Sequence, residues 1–348
     1  MAHFWLRAED RPEEARTLLT PEGASRLLAA DYRVTVERSR RRIIPDSAYA
    51  GVGCTMVEAQ DWHDAPEDAV VLGLKELDPK GPPLRHHHVM FGHAYKGQPD
   101  GPALLERFKE GGGTLLDLEY LTNERGRRLA AFGYWAGYVG AAISLLAWLA
   151  QQRGRPMEPV EPWDGAKPLL AGLQGRMTEA RGTRPSAIVI GAKGRVGSGA
   201  ADLCTALGVP VTAWDLEETQ GGGPFPQILK HEIFLNCVLA GPKTPVFVSE
   251  EVLTKDRALT VIGDIACDPG SEYNPIPLYD GATSWKEPVV RVQDKPPLDI
   301  MAIDNLPALL PMDVSEDFAE QLFPLLLAFH TDPAWTRVEA LFQEHIGG

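Results

Sequence analysis

The stretch PSAIVIGAKGRVGSGAADLCTALGVPVTAWD, residues 185–215, decides the fold. It opens on Ala187-Ile-Val-Ile190, a short apolar run rich in β-branched residues, bounded by Pro185 and Gly191. Such a run reads as a strand buried on both faces of a parallel sheet. Glycines follow at 191, 194, 197 and 199, and Ala200, Ala201, Leu203 and Leu207 then recur at helical spacing until Gly208 stops the helix. Val209 to Trp214 is a second strand, and it ends at Asp215. Strand, glycine turn, helix, strand and acid form the βαβ unit that binds dinucleotides.

The residue types follow from that chemistry. Gly194 lets the backbone approach a pyrophosphate, and Gly197 lets the helix pack close to the strand. The helix N-terminus offers unpaired N–H groups and a partial positive charge to the phosphates. Asp215 stands eighteen residues after Gly197, where a carboxylate accepts hydrogen bonds from the adenosine ribose. A carboxylate there repels a 2′-phosphate, so NAD is expected over NADP. The spacing is G-x-x-G-x-x-G rather than G-x-G-x-x-G, which leaves open a glycine-rich turn that binds no nucleotide. The strand, helix and acid in their places argue against that alternative.

Working outward, 348 residues suffice for two domains with their own cores. A net charge of −14 speaks against nonspecific nucleic-acid binding. Cys54, Cys204, Cys237 and Cys267 are scattered without a C-x-x-C, as in a protein with reduced thiols. The opening MAHFWLRAEDR carries early charges and no apolar signal core, so a cytoplasmic protein is expected. Leu129 to Ala150 is uncharged and long enough to cross a bilayer, yet Arg125, Arg127 and Arg128 precede it and Arg153 and Arg155 follow. Inside a two-domain α/β pattern it reads as a buried core helix. His86-His87-His88 suggests a metal, but neighbours on an extended chain point in opposite directions, and no metal is expected.

Before the dinucleotide unit, Phe4–Leu6, Tyr32–Glu37, Met56–Val57, Ala69–Leu74, His88–Phe91 and Thr114–Leu118 read as strands. Helices are expected at Pro21–Ala30, capped by Thr20, at Ser47–Gly53 and from Lys167 to Ala180. Arg7, Lys75, Glu76, His93, Lys96 and Glu119 lie at or just past strand ends, the edge where open α/β sheets bind ligands. Each alone is as readily a solvated terminus; their convergence points to a site. After Asp215 come strands at Ile233–Leu239, Leu259–Asp264, Val289–Val292 and Ile300–Ile303. Asp313 or Ser315 would cap a helical tail that includes Phe318–Phe329 and Pro333–His345.

Ten motifs run in order along nearly the whole chain: LRAEDRPEEARTLLTP (6–21), VLGLKE (71–76), FGHAYKGQ (91–98), LLDLEYL (115–121), GRRLAAFGYWAGYVGAA (126–142), VIGAKGRVGSGAADL (189–203), WDLEET (214–219), GGPF (222–225), NPIPLY (274–279) and IDNLPALLP (303–311). With them the sequence resembles the lysine-forming, NAD-dependent saccharopine dehydrogenases, a family grouped with alanine dehydrogenase and the nucleotide-binding part of proton-translocating transhydrogenase. The resemblance implies an α/β protein with two Rossmann-like domains, parallel sheets and an interdomain active-site cleft. Residues 1–131 with 311–348 would form the substrate domain and 132–310 the NAD-binding domain, with the apolar run as interdomain helix.

The implied reaction is reversible oxidation of saccharopine by NAD, with water, to L-lysine and 2-oxoglutarate. Lys75 and His93 match the family's acid–base pair. A Lys beside other cations suits that role. Glu76 and Glu119 match acids that moderate the pair. Arg16, Arg127 and Arg128 match groups that hold substrate carboxylates, Lys96 is placed with them, and Asp304 matches a residue near the nicotinamide and substrate. Cofactor contacts are assigned to Gly191, Gly194, Arg195, Val196, Gly197, Asp215, Thr219, Cys237 and Asp264. Val196 and Gly221 stand where the family carries Cys and Arg, and Asn305 where it carries His.

The expected partners are these small molecules, without nucleic acid or membrane, in a monomer or small homo-oligomer. Rival readings are another amino-acid or opine-type dehydrogenase on the same fold, a catalytically silent NAD-binding protein, and a membrane transhydrogenase component. The last needs several spans where one candidate exists.

Overall fold

The computed structural model describes residues 2–179 and 184–347. The chain divides into two compact units, Met1–Ala131 with Pro311–Gly348, and Phe132–Leu310. In the first, β1 (His3–Leu6), α1 (Pro21–Ala29), β2 (Arg33–Glu37), α2 (Asp46–Gly51), β3 (Thr55–Val57), β4 (Ala69–Leu72), β5 (His87–Met90), α3 (Gly101–Gly111) and β6 (Thr114–Asp117) follow one another. The second holds α4 (Gly133–Gln152), α5 (Ala166–Glu179), β7 (Ala187–Ile190), α6 (Arg195–Ala206), β8 (Val211–Trp214), α7 (Leu216–Thr219), β9 (Ile233–Asn236), β10 (Val261–Asp264), β11 (Val290–Asp294) and β12 (Pro297–Met301). The chain then adds α8 (Pro311–Leu327) and α9 (Pro333–Ile346) to the first unit.

The first sheet is parallel throughout, in the order β3-β2-β1-β4-β5-β6. Its order reverses between β1 and β4, so the chain leaves these neighbours in opposite directions and opens a crevice at their carboxyl ends. The second sheet runs β11-β12-β10-β9-β7-β8, parallel except for the β11–β12 hairpin. Its reversal falls between β7 and β9, which puts the glycine turn after β7 at the switch point. Both are Rossmann-type sheets.

Buried apolar strands make each core. Trp5, Val71, Met90 and Leu115 pack with Leu104 and Phe108 of α3 and Phe342 of α9. Ile188, Ile190, Phe234, Ile262 and Ile300 centre the other. The tail belongs to the first unit because α8 and α9 bring apolar faces to its sheet: Phe318 meets Phe91, Phe329 meets Phe4, and Trp335 donates to the Leu325 carbonyl at 2.9 Å.

Helix α4 is the one described helix long and apolar enough to cross a membrane, and 67% of its most apolar window is buried inside the protein. It is apolar all round because it packs against α6, α5 and strands β9, β10 and β12 at once. Two glycines permit the approach. A Cβ on Gly137 would collide with the Val196 carbonyl, and one on Gly199 with the Tyr134 carbonyl.

Several element ends differ from the sequence reading. The apolar run enters its helix at Gly133 rather than Leu129, because Leu129 donates its N–H to the Leu121 carbonyl in a hairpin instead. The strand begun at Ile233 stops at Asn236, whose side-chain oxygen accepts the Val238 N–H and turns the chain. Asp313 and Ser315 do not cap α8. The helix starts at Pro311, and the Ser315 hydroxyl donates to the Pro311 carbonyl at 2.6 Å while accepting the Thr17 N–H. Helix α3 has no counterpart among the helices expected from the sequence. Of the helix expected to Ala180, α5 ends at Glu179 and Ala180 lies outside the described residues.

Candidate active site

At the first switch point, the turns after β1 and β4 are tied together. The Glu9 carboxylate accepts the Leu74 and Lys75 N–H groups at 2.6 and 3.1 Å. Arg7, buried and 3.4 Å from Glu9, donates to the Lys75 carbonyl. Gly73 makes room: a Cβ there would fall on the Arg7 guanidinium. The backbone of Lys75 is therefore gripped from both sides, leaving the half-buried ammonium stem to project from a fixed base.

His93 comes from the turn after β5, on left-handed backbone with φ 47°. That conformation is uncommon for a residue with a Cβ and costs on the order of 1 kcal/mol. Its Nδ1 lies 3.2 Å from Glu76 Oε2, while Glu76 Oε1 is paired with Arg11. Burial lowers the His93 pKa, Lys75 and Arg11 lower it further, and Asp117 and Glu119 oppose them. The imidazole is neutral near pH 7, with Nδ1 committed to Glu76 as donor and Nε2 left as the basic nitrogen.

Glu119, just past β6, takes both Lys96 Nζ at 2.7 Å and Arg128 at 2.9 Å on one oxygen. Burial opposes its ionisation, but Lys96 and Arg128 together hold its carboxyl below the ordinary value. Glu119 thus gathers two cations at this strand end. Lys75, Glu76, His93, Lys96, Glu119 and Arg128 are thus brought together. Arg16 is set apart from solvent, 4% exposed, with its guanidinium on both oxygens of Glu14 at 2.7 and 2.6 Å. Arg127 is exposed in a turn shaped by Asn123, whose side-chain oxygen accepts its N–H.

Sequence reasoning missed Arg11 and Asp117. Arg11 sits in a loop of mixed charges and carries no pattern. Asp117 falls within the strand expected at Thr114–Leu118; its signal is an acid set among leucines at the carboxyl end of that run.

In the second unit, Gly191 adopts φ 86° and the Cys237 carbonyl presses on it, 3.0 Å from where a Cβ would stand. A Cβ on Gly197 would strike the Gly191 carbonyl. Gly194 begins α6 with no side-chain cap, so the first N–H groups of the helix are left for an anion. Arg195 is exposed and Val196 half-buried beside them. Asp215 accepts the Lys193 N–H at 2.9 Å and the Leu216 N–H at 2.9 Å, bonds that lower its pKa and keep it ionised. This cradle fits a dinucleotide: backbone donors for phosphate, no Cβ in the way, and a fixed carboxylate at the next strand end.

The remaining cofactor candidates are placed differently. The Thr219 hydroxyl donates within its own helix to the Asp215 and Leu216 carbonyls. Asp264 is buried, accepting from Asn236 Nδ2 at 2.8 Å and Tyr279 Oη at 2.6 Å. Burial raises its pKa against those two bonds. Asp304 is exposed, and its charge acts on Cys267, whose thiol burial pushes up to about 12. Cys237 is buried and its thiol is likewise pushed up by burial.

A solved structure titled L-alanine dehydrogenase matches with a TM-score of 0.69 at 16% identity, covering 97% of this chain and 93% of that one. At that identity the likeness speaks for the fold. The family model described as alanine dehydrogenase/PNT, N-terminal domain, matches residues 5–139. Saccharopine dehydrogenase [NAD(+), L-lysine-forming] of Neurospora crassa is 42% identical, covering 98% of this chain and 95% of its own length. The chain belongs to the NAD-dependent, lysine-forming saccharopine dehydrogenases. The Yarrowia lipolytica member of that family is also 42% identical, over 98% of this chain and 96% of its own. The saccharopine dehydrogenase motifs named above therefore lie at or beside both switch points: VLGLKE at the first with FGHAYKGQ on the neighbouring strand end, and VIGAKGRVGSGAADL at the second with WDLEET on the neighbouring strand end.

Proposed function

We infer that this protein is a saccharopine dehydrogenase that converts saccharopine, NAD⁺ and water reversibly to L-lysine, 2-oxoglutarate, NADH and a proton. The observation that carries the reading is Lys75 beside His93, two basic side chains of different strength on neighbouring strand ends, in a chain of this family.

The chemistry needs two proton carriers. Oxidising a secondary amine begins with loss of its proton, and hydrolysing the resulting imine requires water to be deprotonated and the departing amine protonated. His93, neutral and oriented by Glu76, supplies a base with Nε2 free. Lys75, anchored by Arg7 and Glu9, carries the other proton. NAD, when bound, supplies the hydride acceptor. Gly191, Gly194, Arg195, Val196 and Gly197 would hold its phosphates and Asp215 its adenosine ribose, with Thr219, Cys237 and Asp264 supporting the surrounding turns.

Saccharopine and 2-oxoglutarate are anionic. The Lys96 and Arg128 cations gathered at Glu119 are the natural partners for their carboxylates, with Arg16, Arg127 and Asp304 as further substrate contacts. On this reading, residues 1–131 with 311–348 are the substrate domain and 132–310 the NAD domain. The enzyme works in the cytoplasm as a monomer or small homo-oligomer, without membrane or nucleic-acid partners.

The test is NADH oxidation followed by absorbance, with lysine and 2-oxoglutarate together and each omitted in turn. Consumption that requires both supports the reaction. No consumption with the pair, but consumption with pyruvate and ammonia, replaces it with an alanine dehydrogenase activity.

A further inference from the structure

Asp117 closes β6 opposite Met90 of β5 and is completely buried. Its Oδ1 accepts the Glu119 N–H at 2.9 Å, and its carbonyl accepts the Tyr120 N–H at 3.0 Å. Oδ2 lies against Gly92, 3.2 Å from where a Cβ would stand. The Gly92 N–H favours its charge without forming a well-aligned bond, so Oδ2 is left without a partner. The hydroxyl of Tyr95, two residues past His93, is likewise buried and unpartnered. A carboxyl placed so carries a heavy desolvation cost, which an apolar or amide side chain at the end of this strand would avoid.

The position explains the acid. Gly92 is the residue before His93, and Glu119 is the residue that gathers Lys96 and Arg128. We propose that Asp117 is a positioning residue for the acid–base pair: one oxygen braces Glu119, and the other, unpartnered against Gly92, sets its charge beside the Gly92–His93 turn and polarises the His93 imidazole. Its activity readout rests on the inferred reaction; its geometry does not.

The groups that act on His93 come from three strand ends. Arg11 follows β1, Lys75 and Glu76 follow β4, and Asp117 and Glu119 belong to the end of β6. Lys96, Arg128 and Tyr120 stand around Glu119, and Tyr95 feels the Asp117 charge. Lys75 and Arg11 favour the neutral imidazole. Asp117, the stronger of the two carboxylates acting through space, favours the imidazolium, followed by Glu119. In return, burial pushes Asp117 up to about 6, and the imidazolium opposes that rise. Each group therefore senses the charge of the other.

The test is Asp117→Asn in the full-length protein, which keeps an acceptor for the Glu119 N–H and removes the charge. The His93 imidazole is titrated by NMR in both proteins, alongside kcat and KM for lysine and 2-oxoglutarate across pH. The proposal expects His93 to titrate roughly half a pH unit or more lower in the variant, with the matching limb of the rate profile following it. A His93 titration unchanged in a folded variant overturns the proposal. If the variant does not fold, the reciprocal measurement decides: with ¹³C-labelled aspartate, the Asp117 carboxyl must titrate higher in His93→Asn than in the wild type, and an unmoved carboxyl overturns the coupling. Wild-type protein that fails to consume NADH with both substrates refutes the assigned reaction, while the two titrations still judge Asp117.

Discussion

His93 Nδ1 is held 3.2 Å from Glu76 Oε2 while the His93 backbone stays left-handed at φ 47°. The ring is fixed from its side chain and from its main chain at once, and this directs Nε2. Glu76→Gln keeps the size and weakens that hold. It also removes a negative charge, so His93 protonates less readily and the rate limb it governs moves to lower pH. We expect kcat/KM at pH 7 to fall about tenfold, a part of what an acid–base group contributes. A pH profile of kcat/KM that keeps its acid limb in place would rule this out.

Lys75→Met removes the second proton carrier and keeps an unbranched stem on the clamped backbone. Turnover should drop by about 10²–10⁴-fold, with NADH affinity measured by fluorescence titration unchanged. Unaltered turnover would show that Lys75 carries no proton in the reaction.

The two glycines of the nucleotide turn make opposite demands. Gly197→Ala drives a Cβ into the Gly191 carbonyl, so thermal stability should fall by about 1–3 kcal/mol and NADH binding with it. Gly194→Ala meets that same carbonyl at 3.3 Å and blocks the approach of phosphate instead. It should fold nearly normally and still bind NADH at least tenfold more weakly, about 1.4 kcal/mol. Calorimetric unfolding and NADH titration on both variants distinguish the two roles.

Asp215→Ala removes the acceptor of the Lys193 and Leu216 N–H groups together with the carboxylate. The NADH dissociation constant should rise about tenfold and the preference over NADPH should shrink. A variant that still refuses NADPH as strongly as the wild type would remove Asp215 from cofactor choice.

The parts legible in the sequence were those that burial writes as a pattern. Ala187–Ile190 and Ala69–Leu72 are unbroken apolar runs because both faces of a parallel strand are covered. The glycine turn was legible because Gly197 has a steric reason that any other residue violates. Helix α3 was not, since it opens on Gly101-Pro102 after Gln98-Pro-Asp and looks like a loop; Leu104 and Phe108 find their core against α9, which is distant in sequence. Within the candidate site, Lys75, His93 and Glu119 could be found at strand ends. The Arg7–Glu9 clamp and the place of Asp117 could not, because they depend on which strands are neighbours, and one chain does not state its own strand order.

The glycine contacts between α4 and α6 have a consequence for change in this protein. Gly137 faces the backbone at Val196 and Ala200, and Gly199 faces the backbone at Tyr134 and Tyr138. The two segments are far apart in the sequence, yet each is the mould in which the other is cast. Neither can drift alone. A nucleotide loop transplanted from another dehydrogenase would have to bring its own version of residues 133–140 to keep both backbone contacts.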